Sequence, residues 1–445
     1  MPEVRIPLEA LKGRGAASRL AHRFERDARH PFDDGWSTLD EGLAQEHGAP
    51  PTQVTWEDAR SIISSNDSPD VYFDRSINPY RGCEHGCIYC YARPTHSYLN
   101  MSPGLDFETK IIAKRNIAAV LRQELSRKNY EPRLIAIGTA TDCYQPVERD
   151  LRLTRAVIEL MHETRHAFGL VTKSSGVERD LDLIAPMAAQ GLAAVNVTIT
   201  TLDAELTRKL EPRAAAPHRR LRTLRTLAEN GVPCGVSLAP QIPFLTDDME
   251  QVLEAAWDAG ARSAFYHVIR LPWEVSPLFR QWLEVHYPQR AARIMARIHD
   301  MRGGKDYDSD FATRMKGSGP WAELIGQRFA KAAALNSSAT DMLIKRLSFF
   351  IGCLRSIDAL VLVLVLAAVH PAFRFTLTPF LVLLAFIILA LLLAVGALIL
   401  GTLIAAMRVS PVPPLRWVGA SYVNLVRNTP LTVVFFLVVF GLPEV

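Results

Sequence analysis

Short apolar, β-branched segments alternate with longer amphipathic stretches between residues 75 and 269. This alternation predicts strands over 76–78, 134–138, 169–172, 194–200, 235–239 and 264–269, with helices near 110–129, 150–166, 177–190, 217–230 and 246–259. Each gap between strands has room for a helical crossover, which favours a parallel sheet with right-handed connections. We therefore predict an α/β fold, a partial (β/α)6 barrel, with residues 274–333 covering its open edge.

Apolar residues are unevenly distributed along the 445-residue chain, which is too long for one typical core. The shift in composition predicts four segments: an N-terminal arm, partly disordered, over 1–74; the barrel over 75–333; a linker over 334–341; and transmembrane helices over 342–445. Within the arm, 56–64 is predicted to form a short helix. A net charge of +4 excludes arguments from whole-molecule electrostatics.

The C-terminal segment contains three apolar runs, at 359–369, 380–407 and 431–442. The middle run has the length that a bilayer requires, about 20 residues. Basic residues flank the first two runs: Lys345, Arg346, Arg408, Arg416 and Arg427. By the positive-inside rule, both flanks and the barrel are predicted to be cytoplasmic, with the full chain attached to the inner membrane.

Half of the six cysteines lie in one short stretch, with the spacing C-x3-C-x2-C at Cys83, Cys87 and Cys90. Three thiolates can hold three irons of a cubane and leave the fourth iron open, so we predict a 4Fe-4S cluster. The alternative is a zinc ion with His85 or His96 as its fourth ligand.

Polar residues follow the predicted strands at their carboxyl ends, where barrels place their functional groups. The segments are 83–90, 139–146, 173–175, 198–203, 240–243 and 270–274. Because parallel strands end at one edge of a sheet, we expect these segments to surround the cysteine cluster.

An aromatic residue, Tyr89, precedes the last cysteine of the cluster. The pattern C-x3-C-x-Φ-C resembles that of the radical S-adenosylmethionine (SAM) superfamily. The resemblance implies a radical SAM barrel in which the open iron is chelated by S-adenosyl-L-methionine. Reductive cleavage then yields a 5'-deoxyadenosyl radical that abstracts hydrogen, with the electron supplied by a reductant such as flavodoxin or ferredoxin.

Three motifs resemble one branch of that superfamily, which contains spore photoproduct lyase and relatives labelled DNA repair photolyases. They are 87–91, 139–146 and 171–174, and the resemblance covers about 75–333. It implies a nucleic-acid substrate, with a peptide or a small molecule as the alternatives. It also implies a set of residues that contact the cofactor: Tyr89, Thr141, Lys173 and Thr198. Asp142 is a further cofactor-binding candidate; alternatively, Asp142 and Glu148 cap the following helix.

One position departs from the branch. The hydrogen-donating cysteine of the lyase corresponds to Thr139, and Cys143 follows four residues later. Cys143 is therefore a candidate catalytic hydrogen donor from a shifted position, or else an inert thiol. Tyr91, which with Tyr89 matches the tyrosine pair of the lyase, is the second catalytic candidate, and aromatic packing is its alternative role.

A run of basic residues can track a phosphate backbone or form a solvated helix face. Its members are Arg208, Lys209, Arg213, Arg219, Arg220, Arg222 and Arg225. Nothing in the sequence predicts an oligomer.

The C-terminal segments 401–417 and 422–431 resemble the first cytoplasmic segment of polar amino-acid ABC transporter permeases. The resemblance covers about 342–445 and lacks the later coupling helix, so we expect a truncated permease joined to the barrel near 332–341 by gene fusion or a misjoined reading frame. Two functions follow: a radical SAM enzyme acting on an unidentified substrate, or a membrane component of an amino-acid transporter with an incidental barrel.

Overall fold

A computed structural model describes residues 9–25 and 50–334. The predicted transmembrane and permease-like segment, 342–445, lies outside these residues. Within the described ranges, no helix has both the length and the apolar character needed to cross a bilayer.

The strands of the described residues, numbered β1–β10, are Gln53–Glu57, Ser64–Ser65, Arg75–Ile77, Tyr80–Arg81, Lys110–Lys114, Ile135–Ile137, Phe168–Thr172, Ala193–Thr198, Cys234–Gln241 and Ser263–Val268. The α-helices, α1–α10, are Leu105–Thr109, Ile117–Leu125, Glu148–Leu151, Leu153–Thr164, Leu181–Ala189, Ala204–Leu210, Pro217–Glu229, Met249–Asp258, Val275–His286 and Pro288–Asp300. Residues 93–99 and 175–180 form 3-10 helices, and 319–334 are helical.

The main sheet contains the six predicted strands, β3 and β6–β10, all parallel and adjacent in chain order. The two-residue strand β2 pairs antiparallel with β3 at one edge, so the sheet is mixed. Helices α4, α5, α7 and α8 connect successive strands, as crossovers require. The sequential order is the one predicted, and in the described residues the edge strands β10 and β2 do not pair with each other.

Central strands are buried on both faces, which is typical of a parallel sheet covered by helices. All three residues of β6 are buried, and seven of the eight residues of β9 are buried. The polar side chains that follow these strands therefore lie outside the core, at the edge of the sheet where the parallel strands end.

Two local predictions were wrong. Residues 110–114, predicted as the start of a helix, form β5, which pairs in parallel with β1 and antiparallel with β4; the helix begins only at Ile117. Residues 56 and 57, predicted as helical, lie in β1. In β5 the buried Ile111 and Ala113 alternate with less buried neighbours, and that period of two is the strand pattern.

Part of the predicted arm packs on the domain. The backbone N–H groups of Gly15 and Ala16 each donate to the Glu108 carboxylate at 2.9 Å. Gly15 approaches so closely that a Cβ atom would collide with the Gly86 carbonyl oxygen. Glycine is required here because only it allows two backbones to meet at this distance.

Residues after β10 cover the edge of the sheet, as predicted. The Val268 N–H donates to the Met315 carbonyl at 2.8 Å. The buried Arg302 guanidinium donates to the Ile269 carbonyl at 2.7 Å. These bonds satisfy backbone groups that an uncovered edge would expose.

Candidate active site

The cysteines lie on a loop over residues 82–92, here called the cluster loop, which follows β4. Cys83 and Cys87 are buried and Cys90 is partly buried, and all three are free thiols. The Cys83 N–H donates to the Phe107 carbonyl at 2.9 Å, which ties the loop to α1. Gly86 has a φ of 67°, a left-handed conformation that glycine adopts without strain.

Arg93 supports the cluster loop through hydrogen bonds to its backbone. Its guanidinium donates to the carbonyls of Cys87 at 2.9 Å and Gly86 at 3.1 Å, and to that of Gly104 at 3.0 Å. It also pairs with Glu108 at 2.5 Å, and both side chains are fully buried. Sequence reasoning missed this pair because arginine and glutamate are normally exposed, and no local pattern marks the exceptions.

Burial controls the ionisation of the thiols. It raises the pKa of Cys83 well above the ordinary value, and the charge of Asp142 adds to the effect. Burial raises the pKa of Cys87 to about 12, although the Lys173 ammonium opposes the increase. Without iron these two thiols are therefore neutral at physiological pH, and metal binding must displace their protons.

The zinc alternative finds no support in the geometry. His96 Nε2 lies 3.1 Å from the Lys110 carbonyl, and His85 Nδ1 lies 3.3 Å from the Asp142 carboxylate, without hydrogen-bond alignment. In the part of the chain that the structure describes, no three His, Cys, Asp or Glu side chains, the three cysteines included, are arranged around a single metal ion. A zinc ion needs four ligands on one tetrahedron.

The donor set instead fits a cubane, in which each thiolate binds a separate iron. One loop supplies three free thiols, Cys83, Cys87 and Cys90. Cys143 is fully buried in the hydrophobic core, with its Sγ 4.0 Å from the Val171 carbonyl, between the ends of β6 and β7. This packing is the alternative role considered for Cys143, and its donor role stays a prediction.

A buried carboxylate, Glu211, joins Tyr89 to the end of the fourth parallel strand. It accepts hydrogen bonds from the Tyr89 hydroxyl, from the Thr200 hydroxyl at 2.6 Å and from the Arg220 guanidinium. Burial acts to raise the pKa of Glu211, but the charges of Arg220 and Lys173 outweigh it and lower the pKa to about 2. Glu211 is therefore ionised at every physiological pH.

Lys173 lies between the cluster loop and Glu211. Its ammonium is 5.9 Å from the centroid of the Tyr89 ring. Burial acts to lower the pKa of Lys173, but the attraction of Cys87 and Glu211 raises it overall. Among the described residues no carboxylate lies within ion-pair distance of Lys173, so this cation is available to an anionic group.

Asp142 fixes the end of β7 rather than capping a helix. Its carboxylate accepts from the Thr172 hydroxyl at 2.8 Å and from the N–H groups of Lys173 at 2.7 Å and Tyr144 at 2.9 Å. Burial acts to raise its pKa, but His85 and these donors lower it overall. The capping role suits Glu148, which accepts from Thr154 N–H at 3.0 Å in the first turn of α4.

The remaining candidates lie around the same edge. The Thr141 hydroxyl donates to the Tyr80 carbonyl at 3.2 Å, and Thr198 is buried at the end of β8. The Tyr91 hydroxyl donates to the Thr139 carbonyl, and 46% of Tyr91 is exposed. The structure thus brings the predicted cofactor residues to one edge of the sheet and leaves Tyr91 facing solvent.

The predicted basic patch is largely neutralised. Arg220 is buried against Glu211, and other members form ion pairs: Arg219 with Glu178 at 2.6 Å, Lys209 with Glu205 at 2.7 Å and Arg213 with Glu84 at 2.9 Å. These four side chains therefore serve internal contacts rather than a continuous surface for a phosphate backbone.

An uncharacterised protein of Mycobacterium tuberculosis is 37% identical over 224 residues, which are 50% of this chain and 66% of that protein. The chain thus spans just under two thirds of this relative. A structure of spore photoproduct lyase complexed with dinucleoside spore photoproduct has 17% identity and a TM-score of 0.40, covering 56% of this chain and 78% of that one. The C-terminal part matches the glutamate transport system permease GluC of Corynebacterium efficiens, 57% identical over 49 residues, or 11% of this chain and 22% of the permease.

The sequence profile of the radical SAM superfamily matches residues 77–256. The matched range includes the cluster loop and the groups that surround it, from Asp142 and Lys173 to Glu211. Residues 77–256 of the chain are therefore similar in sequence to the radical SAM superfamily.

Proposed function

We propose that this domain holds a 4Fe-4S cluster on Cys83, Cys87 and Cys90 and uses it to cleave S-adenosylmethionine reductively. The observation that carries the proposal is one buried loop with three free thiols beside a cation that has no ion-pair partner among the described residues. When bound, the cluster and cofactor supply the radical chemistry. The protein's own groups bind and orient them, and a reductant such as flavodoxin or ferredoxin supplies the electron.

The cofactor would be held by the groups at the carboxyl edge. The Lys173 ammonium suits the cofactor's carboxylate, because a charge-assisted hydrogen bond is stronger than a neutral one. The Tyr89 ring suits the adenine face, and Glu211 keeps its hydroxyl in position. Thr141 and Thr198 contribute hydroxyl groups, and Asp142 positions Lys173 through its backbone N–H.

Nucleic acid is the substrate class that we propose. Arg23 lies over three exposed aromatic rings, with its guanidinium carbon 4.7 Å from the centroid of Phe24, 5.0 Å from that of Tyr98 and 4.5 Å from that of Trp273. Trp273 follows β10, so these rings lie near the carboxyl edge. Exposed aromatic rings next to arginine are suited to stacking with unpaired bases.

The assay that tests the proposal is reductive cleavage of S-adenosylmethionine to 5'-deoxyadenosine by the full chain, reconstituted anaerobically with iron and sulfide. We expect iron binding and cleavage in the wild type, and loss of both when Cys83, Cys87 and Cys90 are replaced by alanine. Cys234→Ala is the matched control, since Cys234 is buried elsewhere, beside the Gly260 carbonyl at 3.5 Å. A colourless zinc protein that forms no 5'-deoxyadenosine would overturn the proposal.

The transporter alternative is favoured by the permease match alone. We propose that the radical SAM domain is cytoplasmic and that segment 342–445, when translated with it, attaches it to the inner membrane. A tag inserted after residue 333 tests this arrangement by cell fractionation. Full-length protein found entirely in the soluble fraction would contradict membrane attachment without affecting the enzymatic proposal.

A further inference from the structure

Arg270 leaves the carboxyl end of β10 and reaches Tyr91. Its guanidinium carbon lies 4.4 Å from the centroid of the Tyr91 ring, one residue beyond Cys90. Because 46% of Tyr91 is exposed, the stacked pair lies where the cluster loop meets solvent. The cation–π contact therefore holds a positive charge at the exposed end of the cluster loop.

No carboxylate in the described residues forms an ion pair with Arg270. The acidic side chain whose charge acts on it, Asp70, is bound through both oxygens by Arg314, each at 2.6 Å. The hydrogen bond of Arg270 to another side chain is to Met315 Sδ at 3.4 Å, and a thioether is a weak acceptor. No other described residue accepts a hydrogen bond from this guanidinium, so its remaining N–H donors are free to bind a ligand.

The surroundings of Arg270 carry an excess of positive charge. The Arg302 guanidinium donates to the carbonyls of Ile269 at 2.7 Å and Thr313 at 3.0 Å. No carboxylate of the described residues forms an ion pair with it. The Lys316 ammonium lies 5.8 Å from the centroid of the Tyr266 ring and likewise has no ion pair there. The carboxylate that acts on Arg302, that of Asp308, accepts from the Thr313 hydroxyl at 2.5 Å.

His267 does not add to this charge. Burial and the charge of Arg270 lower the pKa of His267 to about 4, so its ring is neutral at physiological pH. The positive charge at this edge thus comes from permanent cations, and an anion brought here would meet a constant attraction.

We propose that Arg270, stacked on Tyr91, binds an anionic group of the substrate at the entrance to the active site. The planar guanidinium can donate two parallel hydrogen bonds to a phosphate or a carboxylate, which an ammonium cannot do. The inference rests on the proposed function, since it assigns the substrate of that same site. A phosphate of a nucleotide and a carboxylate of a small molecule share the chemistry that this site recognises.

The test is calorimetric titration of the full chain, reconstituted with iron and sulfide and saturated with S-adenosylmethionine so that the cofactor site is filled. The probes are thymidine 5'-monophosphate, thymidine without phosphate, and glutarate. The variants are Arg270→Gln and Arg270→Lys. The matched control is Arg225→Gln, which removes one charge from an exposed position on α7, the helix that leads back to the amino edge of the sheet.

We expect wild type and Arg225→Gln to bind thymidine 5'-monophosphate alike, Arg270→Gln to bind it about tenfold more weakly or worse, and Arg270→Lys to lie between them. Thymidine should not distinguish the variants. The same ranking with glutarate alone supports the site and identifies the anion as a carboxylate. Equal binding by Arg270→Gln and Arg225→Gln, or no anion binding by wild type, overturns the inference.

Arg270→Lys keeps the charge and serves if Arg270→Gln fails to fold. Failure of this inference is also separable from failure of the proposed function. Formation of 5'-deoxyadenosine by the wild type decides the proposed function, whereas anion binding decides the role of Arg270.

Discussion

Two buried arginine–glutamate pairs contact the cluster loop and use their hydrogen bonds differently. Arg93 and Glu108 bind mainly backbone: the guanidinium holds carbonyls of the loop, and the carboxylate accepts from Gly15 and Ala16. Glu211, paired with Arg220, instead accepts from two side-chain hydroxyls, those of Tyr89 and Thr200.

The difference indicates what each pair does. A pair whose bonds end on backbone determines the path of the chain, so Arg93 and Glu108 form the support of the cluster loop. In the second pair Arg220 also binds backbone, the carbonyls of Ala215 and Thr198, but the bonds of Glu211 end on side chains of the site. Glu211 therefore positions groups proposed to bind the cofactor. Three experiments test this division, and a fourth tests the role of Cys143.

The largest effect is expected from Arg93→Met. It leaves the Glu108 carboxylate buried without a counter-charge, which destabilises a protein by about 3–5 kcal/mol. The free energy of unfolding from urea denaturation, together with the iron content after reconstitution, measures the loss. Arg122→Gln, which breaks an exposed pair with Glu163, is the control and should change little. A Met variant with wild-type stability and iron content would refute the supporting role.

The pH dependence of stability tests the other pair. The pKa of Glu211 falls from 4.5 to about 2 on folding, so its contribution is fully present above pH 4.5 and is lost as the pH falls toward 2. The full shift corresponds to about 3 kcal/mol. Wild-type stability should therefore decline more steeply with acid than that of Glu211→Gln, measured on cluster-free protein by urea denaturation. Parallel declines would show that Glu211 is not held ionised by its partners.

A third comparison separates cofactor binding from cluster binding. Glu211→Gln should retain iron but bind S-adenosylmethionine about tenfold more weakly, because the Tyr89 hydroxyl loses the charged acceptor that holds it in position. Glu108→Gln should show the reverse, with less iron bound per chain. Iron analysis and equilibrium dialysis of both variants measure the two quantities. The division fails if the two variants behave alike.

The smallest effect is expected from Cys143→Ala. A fully buried thiol that packs in the core should cost about 1 kcal/mol of unfolding free energy when truncated. The distribution of substrate products should not change. If products from uncontrolled quenching of a substrate radical appear, the hydrogen-donor role predicted for Cys143 from the family resemblance is supported instead.

Much of the fold was predictable because its signals are local. Each parallel strand is a short β-branched run bounded by helix-length spacing, and the three cysteines are close together in the chain. The strand β5 was missed because Lys110–Lys114 runs directly into a helix at Ile117, and five residues are too few to separate the two periods. The carboxyl-edge placement of Asp142, Lys173 and Thr198 was also predictable, since parallel strands end together.

The sequence alone thus determined the order of the strands, the cysteine donor set and the edge of the sheet where chemistry is expected, since periodicity and spacing are properties of neighbouring residues. Tertiary structure alone decided which charges are buried, that Cys143 points into the core, and that Arg270 lies on Tyr91. Those outcomes depend on contacts such as that of Arg270 with Tyr91, between residues far apart in the chain. Ionisation and hydrogen-bond satisfaction are set by the surroundings that folding creates.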